Sequence, residues 1–122
     1  MLNIKNWIQI DKYSKKEIFR GSYFLFATQY PFEEKIIMML CQNKLDENYP
    51  FFLITITGGK AGIFPYCVLP KECLNKDSIS VNKDWLINNW NKWINEETDL
   101  SNLYIKDNLD ISEISIICSE EF

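Results

Sequence analysis

Three tryptophans, Trp85, Trp90 and Trp93, lie within nine residues of this chain and constrain its fold more than any other feature. At about 100° per residue, a helix over residues 83–95 would carry large apolar side chains within an arc of roughly 120°. These side chains are Leu86, Ile87, Trp90, Trp93 and Ile94. The opposite side would carry asparagine and lysine. The pattern predicts one amphipathic helix, with Trp90 and Trp93 mostly buried against a broad apolar surface.

The sequence also indicates where this helix starts and on which side of it Trp85 lies. Asn82 is the expected N-cap, because its side-chain oxygen can accept from the first unpaired amides of the helix. Asp84 places negative charge where the helix dipole favours it. Trp85 lies roughly 80° outside the apolar arc. It is therefore either covered by a loop or exposed as a contact residue.

Most of the remaining chain has the pattern of β-strands. Segment 35–42 is a continuous apolar run that is interpreted as a strand, with a helical turn as the alternative. Pro65 cannot donate to a ladder, which places its strand at a sheet edge or on a bulge. The expected strands are 20–27, 35–42, 51–57, 62–70, 103–106 and 111–118. The sequence thus predicts an α+β fold, a twisted antiparallel sheet of five or six strands with the helix of about 83–95 on one face.

Length and composition limit the architecture and the compartment. With 122 residues, 47% of them hydrophobic, the chain is expected to form a single domain over residues 1–122. No segment approaches the roughly 18 apolar residues of a membrane span, and the N-terminus lacks the pattern of a cleavable signal. The four cysteines have no Cys-x-x-Cys spacing and read as small buried residues of a reducing compartment. A cytoplasmic location is predicted.

The residue types argue against most catalytic chemistry. The chain has no histidine, which excludes a histidine-assisted nucleophile and any metal site that uses imidazole. Gly58–Gly62 lacks the spacing of a phosphate loop and is better explained as a hairpin. A net charge of −4 does not suit nucleic-acid binding. We therefore predict a protein that is not an enzyme and that uses no cofactor, metal, nucleic acid or membrane.

The negative charge is concentrated in the last part of the chain. Residues 96–122 contain eight acidic residues and one lysine, a net charge of −7, whereas residues 1–95 carry +3. Such a segment is either a solvated edge that prevents aggregation or a docking surface for a basic partner. As a docking surface, its candidate contact residues are Glu96, Glu97, Asp99, Asp107, Asp110 and Glu113, together with Trp85. Reversing the charge of Asp110 and Glu113 would then slow association at least about tenfold.

Two segments resemble a known class of proteins. They are Gly58-Gly-Lys-Ala-Gly-Ile-Phe-Pro-Tyr-Cys-Val-Leu-Pro70 and Asp84-Trp-Leu-Ile-Asn-Asn-Trp-Asn-Lys-Trp-Ile94, with Ile79-Ser-Val between them. Together they are similar to the immunity proteins of bacterial polymorphic-toxin and contact-dependent growth inhibition systems. The resemblance implies a cytosolic protein that binds and blocks a cognate toxin domain, and it brings no catalytic motif. The toxin in such systems is often a nuclease, which would be basic.

Two other classes of function stay open at this point. One is a small enzyme that uses carboxylate or lysine chemistry. The other is a structural subunit or a ligand-binding module whose sheet forms a pocket. A concave pocket with convergent buried carboxylates would favour the enzyme.

Overall fold

The computed structural model describes residues 7–27, 35–57, 61–63 and 65–108. Its strands are β1 (Ile8–Gln9), β2 (Glu17–Ile18), β3 (Tyr23–Ala27), β4 (Lys35–Gln42), β5 (Phe51–Thr55), β6 (Cys67–Leu69), β7 (Val81–Asn82) and β8 (Tyr104–Lys106). Helix α1 spans Lys83–Trp93. Short 3-10 helices span Ile10–Lys12, Lys71–Cys73 and Leu100–Asn102. The fold is α+β, as the sequence predicts.

Six of the strands form one antiparallel sheet. Its order is β1-β8-β3-β4-β5-β6, and β2 pairs with β7 in a separate two-stranded sheet. The run from β3 to β6 is a meander, in which each strand pairs with the next one along the chain. Strand β8 returns from beyond the helix and lies between β3 and β1. This return places Asp107, which follows β8, in contact with Tyr13 and Lys15.

Alternation along the strands separates a face that packs on the helix from an opposite face. On the helix side, β3 contributes Phe24 and Phe26, and both rings contact the indole of Trp90. The centroid distances are 5.4 Å to Phe24 and 5.7 Å to Phe26, within the range of favourable tilted and edge-to-face aromatic pairs. Trp90 is fully buried and lies in the main core cluster with Leu86 and Ile94.

The first turn of α1 begins as the sequence predicts. The Asn82 side-chain oxygen accepts from the Trp85 backbone N–H at 2.9 Å, and the Asn82 amide donates to Asn75 Oδ1, also at 2.9 Å. Asn75 in turn donates to Ser80 Oγ, and the Ser80 and Ser78 hydroxyls lie 2.6 Å apart. One polar network therefore fixes both the start of the helix and the strand that precedes it.

The opposite face of the sheet has its own small apolar cluster. It consists of Trp7, Leu25 and Ile37, which are buried. The ammonium of Lys106 lies 5.9 Å from the centroid of the Trp7 ring. Since alternate residues of a strand face opposite sides, this contact holds the Lys106 charge on the face away from α1.

Five of the six expected strands and the helix are present in the expected order, and they differ from the prediction in extent. The strand expected over 62–70 is limited to β6, which lies at the sheet edge as Pro65 predicts. The predicted burial is confirmed for Trp90, whereas Trp93 is only partly buried against the core. Strands β1, β2 and β7 were not predicted, because two residues are too few to show a periodic pattern. The strand expected over 111–118 lies outside the described residues.

We expect Trp90→Ala to lower the free energy of unfolding by about 3–5 kcal/mol, because it removes a fully buried indole and leaves a cavity. Trp93→Ala should cost clearly less, since part of that side chain is already in contact with water. Urea unfolding of both variants measures the difference. Equal losses of stability would show that Trp90 and Trp93 are packed alike.

Candidate functional site

A hydrogen-bonded turn follows the last residue of α1. The Asn91 side-chain amide donates to the backbone oxygens of Asn95 at 3.0 Å, Glu96 at 3.3 Å and Thr98 at 2.8 Å. The Asn95 side-chain oxygen accepts from the Glu97 N–H at 2.9 Å. These bonds satisfy carbonyls near the end of the helix and fix the backbone of the turn. The side chains of Glu96 and Glu97 are left exposed to solvent.

The position of these two carboxylates is electrostatically unfavourable for the isolated chain. They follow the C-terminus of α1, where the helix dipole disfavours negative charge. Within the described part of the chain, neither Glu96 nor Glu97 takes part in an ion pair. A cation supplied from outside the chain would therefore be attracted both by the carboxylates and by the helix end.

Two tryptophans with partly buried side chains lie on the helix that precedes this turn, Trp85 in its first turn and Trp93 as its last residue. The rings of Trp85 and Trp93 are 6.4 Å apart between centroids and tilted by 44°. Asn89 lies between them along the helix and donates to the backbone oxygen of Trp85 at 2.8 Å. Both indoles are partly buried against the main core, so each has a fixed inner part and a solvent-accessible edge. Trp85 is thus neither fully covered nor fully exposed.

We call Trp85, Trp93, Glu96 and Glu97 together the tryptophan–acid surface. Large rigid aromatic rings are enriched at protein interfaces because they supply contact area at a low cost in conformational entropy. Carboxylates beside them add attraction for a basic partner. The arrangement is suited to binding a protein, and nothing in it resembles a pair of groups for acid–base chemistry.

Asp99 has a structural role within its own loop. Its carboxylate accepts from the Ser101 N–H at 3.0 Å and from the Ser101 hydroxyl at 2.7 Å, and it caps the 3-10 helix Leu100–Asn102. These hydrogen bonds lower the pKa of Asp99. The residue is exposed and charged, but its orientation is set by the cap.

Asp107 lies just beyond β8 and is in contact with the N-terminal part of the chain. It accepts from Lys15 Nζ at 2.8 Å and from the Tyr13 hydroxyl. The Lys15 contact, followed by the Tyr13 hydrogen bond, lowers the pKa of Asp107. Burial, followed by the hydrogen bond that the phenol donates to Asp107, raises the pKa of Tyr13. Asp107 is therefore ionised at neutral pH while Tyr13 keeps its proton.

The described candidate acids lie before and after β8 in the chain. Glu96, Glu97 and Asp99 precede this strand, and Asp107 follows it. Asp99 is hydrogen-bonded within its own loop, to Ser101, whereas Asp107 contacts the distant residues Tyr13 and Lys15. Asp110 and Glu113 lie outside the described residues.

Sequence reasoning missed the partners of Asp107. Tyr13 and Lys15 are 94 and 92 residues away from it along the chain, and neither belongs to a periodic pattern. Together with Ile8 and Ile105, Tyr13 and Asp107 line a cleft of about 230 Å³. Only the antiparallel return of β8 beside β1 brings these residues together, and no local signal in the sequence indicates that pairing.

The three described cysteines offer little reactivity, and Cys118 lies outside the described residues. Cys41, Cys67 and Cys73 are free thiols. Burial raises the pKa of both Cys67 and Cys73 to about 12, so at neutral pH almost none of either is the nucleophilic thiolate. Among the described residues, no group of three or more potential ligands could hold a metal ion. No helix in the part of the chain that the structure covers is long and apolar enough to cross a membrane.

We expect Asp107→Asn to lower the free energy of unfolding at pH 7 by about 0.2–1 kcal/mol, a small loss because the ion pair is half exposed and screened. The pKa of Asp107 is lower in the folded state than in the unfolded state, where it is about 3.9. Its contribution is therefore complete above that value and is lost as the pH falls through the folded pKa. Urea unfolding at pH 7 and pH 3 measures the change, with the exposed Asp77→Asn as control. A difference from the parent protein that is equally large at pH 3 would contradict this assignment.

Residues 10–105 match the family model of Immunity protein 45 (Imm45). Comparisons with curated proteins and with solved structures gave no match. The matched range contains the whole main helix and the tryptophan–acid surface, as well as Tyr13 and Lys15, and it ends two residues before Asp107. Since it spans well over half of the chain, this protein belongs to the Immunity protein 45 family.

Proposed function

We propose that this protein binds and neutralises a cognate toxin domain of a bacterial polymorphic-toxin or contact-dependent growth inhibition system. It does so in the cytoplasm, as a single domain and without catalysing a reaction. Membership of an immunity protein family supports the role. The free thiols support a reducing compartment, and the absence of histidine supports a binding function rather than an enzymatic one.

The observation that carries the proposal is the tryptophan–acid surface. Glu96 and Glu97 are exposed on a hydrogen-bonded turn and have no ion pair in the described chain, and this turn follows Trp93, the last residue of α1, whose ring contacts that of Trp85. A basic toxin domain would supply the missing positive charge and cover the indole edges. Nucleases are basic because they bind polyanions, and a basic nuclease domain is the partner that this surface fits best.

The remaining acidic residues extend the field of this surface. Asp99 and Asp107 are exposed even though their carboxylates already accept hydrogen bonds, and Asp110 and Glu113 add further charge in the sequence. Long-range attraction of this kind accelerates the encounter of oppositely charged proteins and is weakened by salt. We assign all four residues a role in steering, and the tryptophan–acid surface to the main contact.

Co-expression tests the function directly. The C-terminal domain encoded by the open reading frame immediately upstream is expressed under an inducible promoter, with or without this protein. We expect arrested growth without it, restored growth with it, and co-purification of the two chains. Trp90→Ala, which removes core packing, serves as a control for loss of the fold. If the upstream domain arrests growth equally in both strains and does not co-purify, the proposed function is wrong.

Charge reversal tests which surface makes the contact. Glu96→Lys combined with Glu97→Lys should slow association with the toxin domain at least about tenfold in stopped-flow or surface-binding kinetics. The same double variant should be no less stable than the parent protein, because positive charge is favourable at a helix C-terminus. Loss of binding would therefore occur without loss of the fold.

Two further double variants with the same change in charge serve as comparisons. Glu72→Lys with Asp77→Lys alters exposed acids that are not part of the tryptophan–acid surface and should change the association rate less than about threefold. Asp110→Lys with Glu113→Lys tests the steering residues and should slow association without accelerating dissociation. Equal effects of all three pairs would mean that net charge alone is recognised, and would remove the tryptophan–acid surface from the proposal.

A further inference from the structure

The cleft between β1 and the end of β8 combines apolar walls with a negative charge. It has a volume of about 230 Å³ and is lined by Ile8, Tyr13, Ile105, Lys106, Asp107 and Asn108. Pockets for drug-sized ligands occupy about 300–1,000 Å³, so this cleft is of the size that suits a single side chain. Ile8 is 47% exposed although it lies on the same face as the fully buried Ile105. An apolar surface is thus left open at the cleft mouth.

The carboxylate of Asp107 gives the cleft its charge preference. An ionised carboxylate has about four acceptor sites, and the contacts with Tyr13 and Lys15 occupy two of them. The Asp107 side chain is 46% exposed, so the remaining sites are accessible from solvent. Lys106 also lines the cleft, but its ammonium lies over Trp7 on the other face of the sheet. The charged group directed at the cleft is therefore the Asp107 carboxylate, which is paired at one oxygen with the Lys15 ammonium.

We propose that this cleft receives an arginine side chain projecting from the toxin domain, an inference that rests on the proposed function. The aliphatic part of that side chain packs on Ile8, and its guanidinium binds the Asp107 carboxylate beside the Tyr13 ring. Arginine fits better than lysine, because its planar fork binds a carboxylate through two hydrogen bonds and is more weakly hydrated.

An arginine that binds in the cleft must displace Lys15 from Asp107. The Lys15 ammonium now binds one oxygen of Asp107 and lies 6.0 Å from the centroid of the Tyr13 ring. Its side chain is 58% exposed, so moving it into solvent costs mainly these two contacts. The incoming guanidinium takes the place of this ammonium at the carboxylate. Lys15 therefore competes with the ligand, and removing it strengthens binding.

The test uses N-acetyl-L-arginine amide as the probe and the full chain labelled with ¹⁵N. We expect saturable shifts of the backbone amides of Ile8, Tyr13, Ile105 and Asn108. The neutral isostere N-acetyl-L-citrulline amide, which has the same length and shape, should bind at least about fivefold more weakly, since it lacks the charge. Shifts that are absent from the cleft, or equal for the two probes, overturn the proposal.

Three variants distinguish the displacement of Lys15 from a general effect of the net charge on arginine binding. Asp107→Asn should weaken arginine binding at least about fivefold, and Lys15→Met should tighten it about threefold. Lys12→Met removes the same charge from an exposed neighbour without contact to Asp107, and should change the affinity less than about 1.5-fold. Equal tightening by Lys12→Met and Lys15→Met would contradict this displacement. If Asp107→Asn fails to fold, the lysine pair and the citrulline probe still decide the question.

The toxin complex distinguishes this inference from the function on which it rests. Asp107→Asn should accelerate dissociation of the toxin domain at least about tenfold, and Lys15→Met should slow it. If the parent protein neutralises the toxin and both variants bind it unchanged, the function stands and the cleft is not the contact. If the toxin domain does not bind at all, the proposed function fails, while the arginine titration still reports on the cleft.

Discussion

The packing of Trp90 on Phe24 and Phe26 is the contact on which the rest of the structure depends. One indole fills the space between helix and sheet and fixes the distance and rotation of α1 over β3. That rotation decides which helix residues reach solvent, because the directions of all side chains on a helix are fixed relative to one another. With Trp90 directed inward, Trp85 and Trp93 lie at the edge of the buried face of the helix. The turn that carries Glu96 and Glu97 follows the last residue of the helix. The position of the candidate contact surface is thus a consequence of core packing.

The helix and its partner face could be predicted because their signals are local. A 3.6-residue period over eleven residues and a capping asparagine both act within a few turns, and the structure confirms α1 and the role of Asn82. The meander was also predictable, since each of its strands pairs with a neighbour along the chain. Strands β1, β2 and β7 could not be predicted. Each has two residues, and each depends on a partner far away in sequence for its hydrogen bonds.

The same distinction applies to the candidate site. Charge density along the sequence pointed to Glu96, Glu97, Asp99 and Asp107, which are exposed in the structure. It could not show which of these acids are engaged within the chain. Asp99 is a cap and Asp107 has a cation partner, whereas Glu96 and Glu97 have no ion pair among the described residues. In sequence these four residues look equivalent. They differ because a cap depends on backbone geometry, and because the ion pair of Asp107 requires the N-terminal segment to lie beside β8.

This difference has consequences for binding. A carboxylate that already has a cation partner gains only the difference between the old partner and the new one, whereas a carboxylate exposed at a helix C-terminus gains the whole interaction. Glu96 and Glu97 can therefore contribute to affinity on simple approach of a basic surface. Asp107 contributes only when a donor of better geometry than the Lys15 ammonium enters its cleft, and a planar guanidinium is such a donor. In the proposed function, the turn that carries Glu96 and Glu97 thus attracts basic proteins in general. The cleft beside Asp107 then discriminates among them.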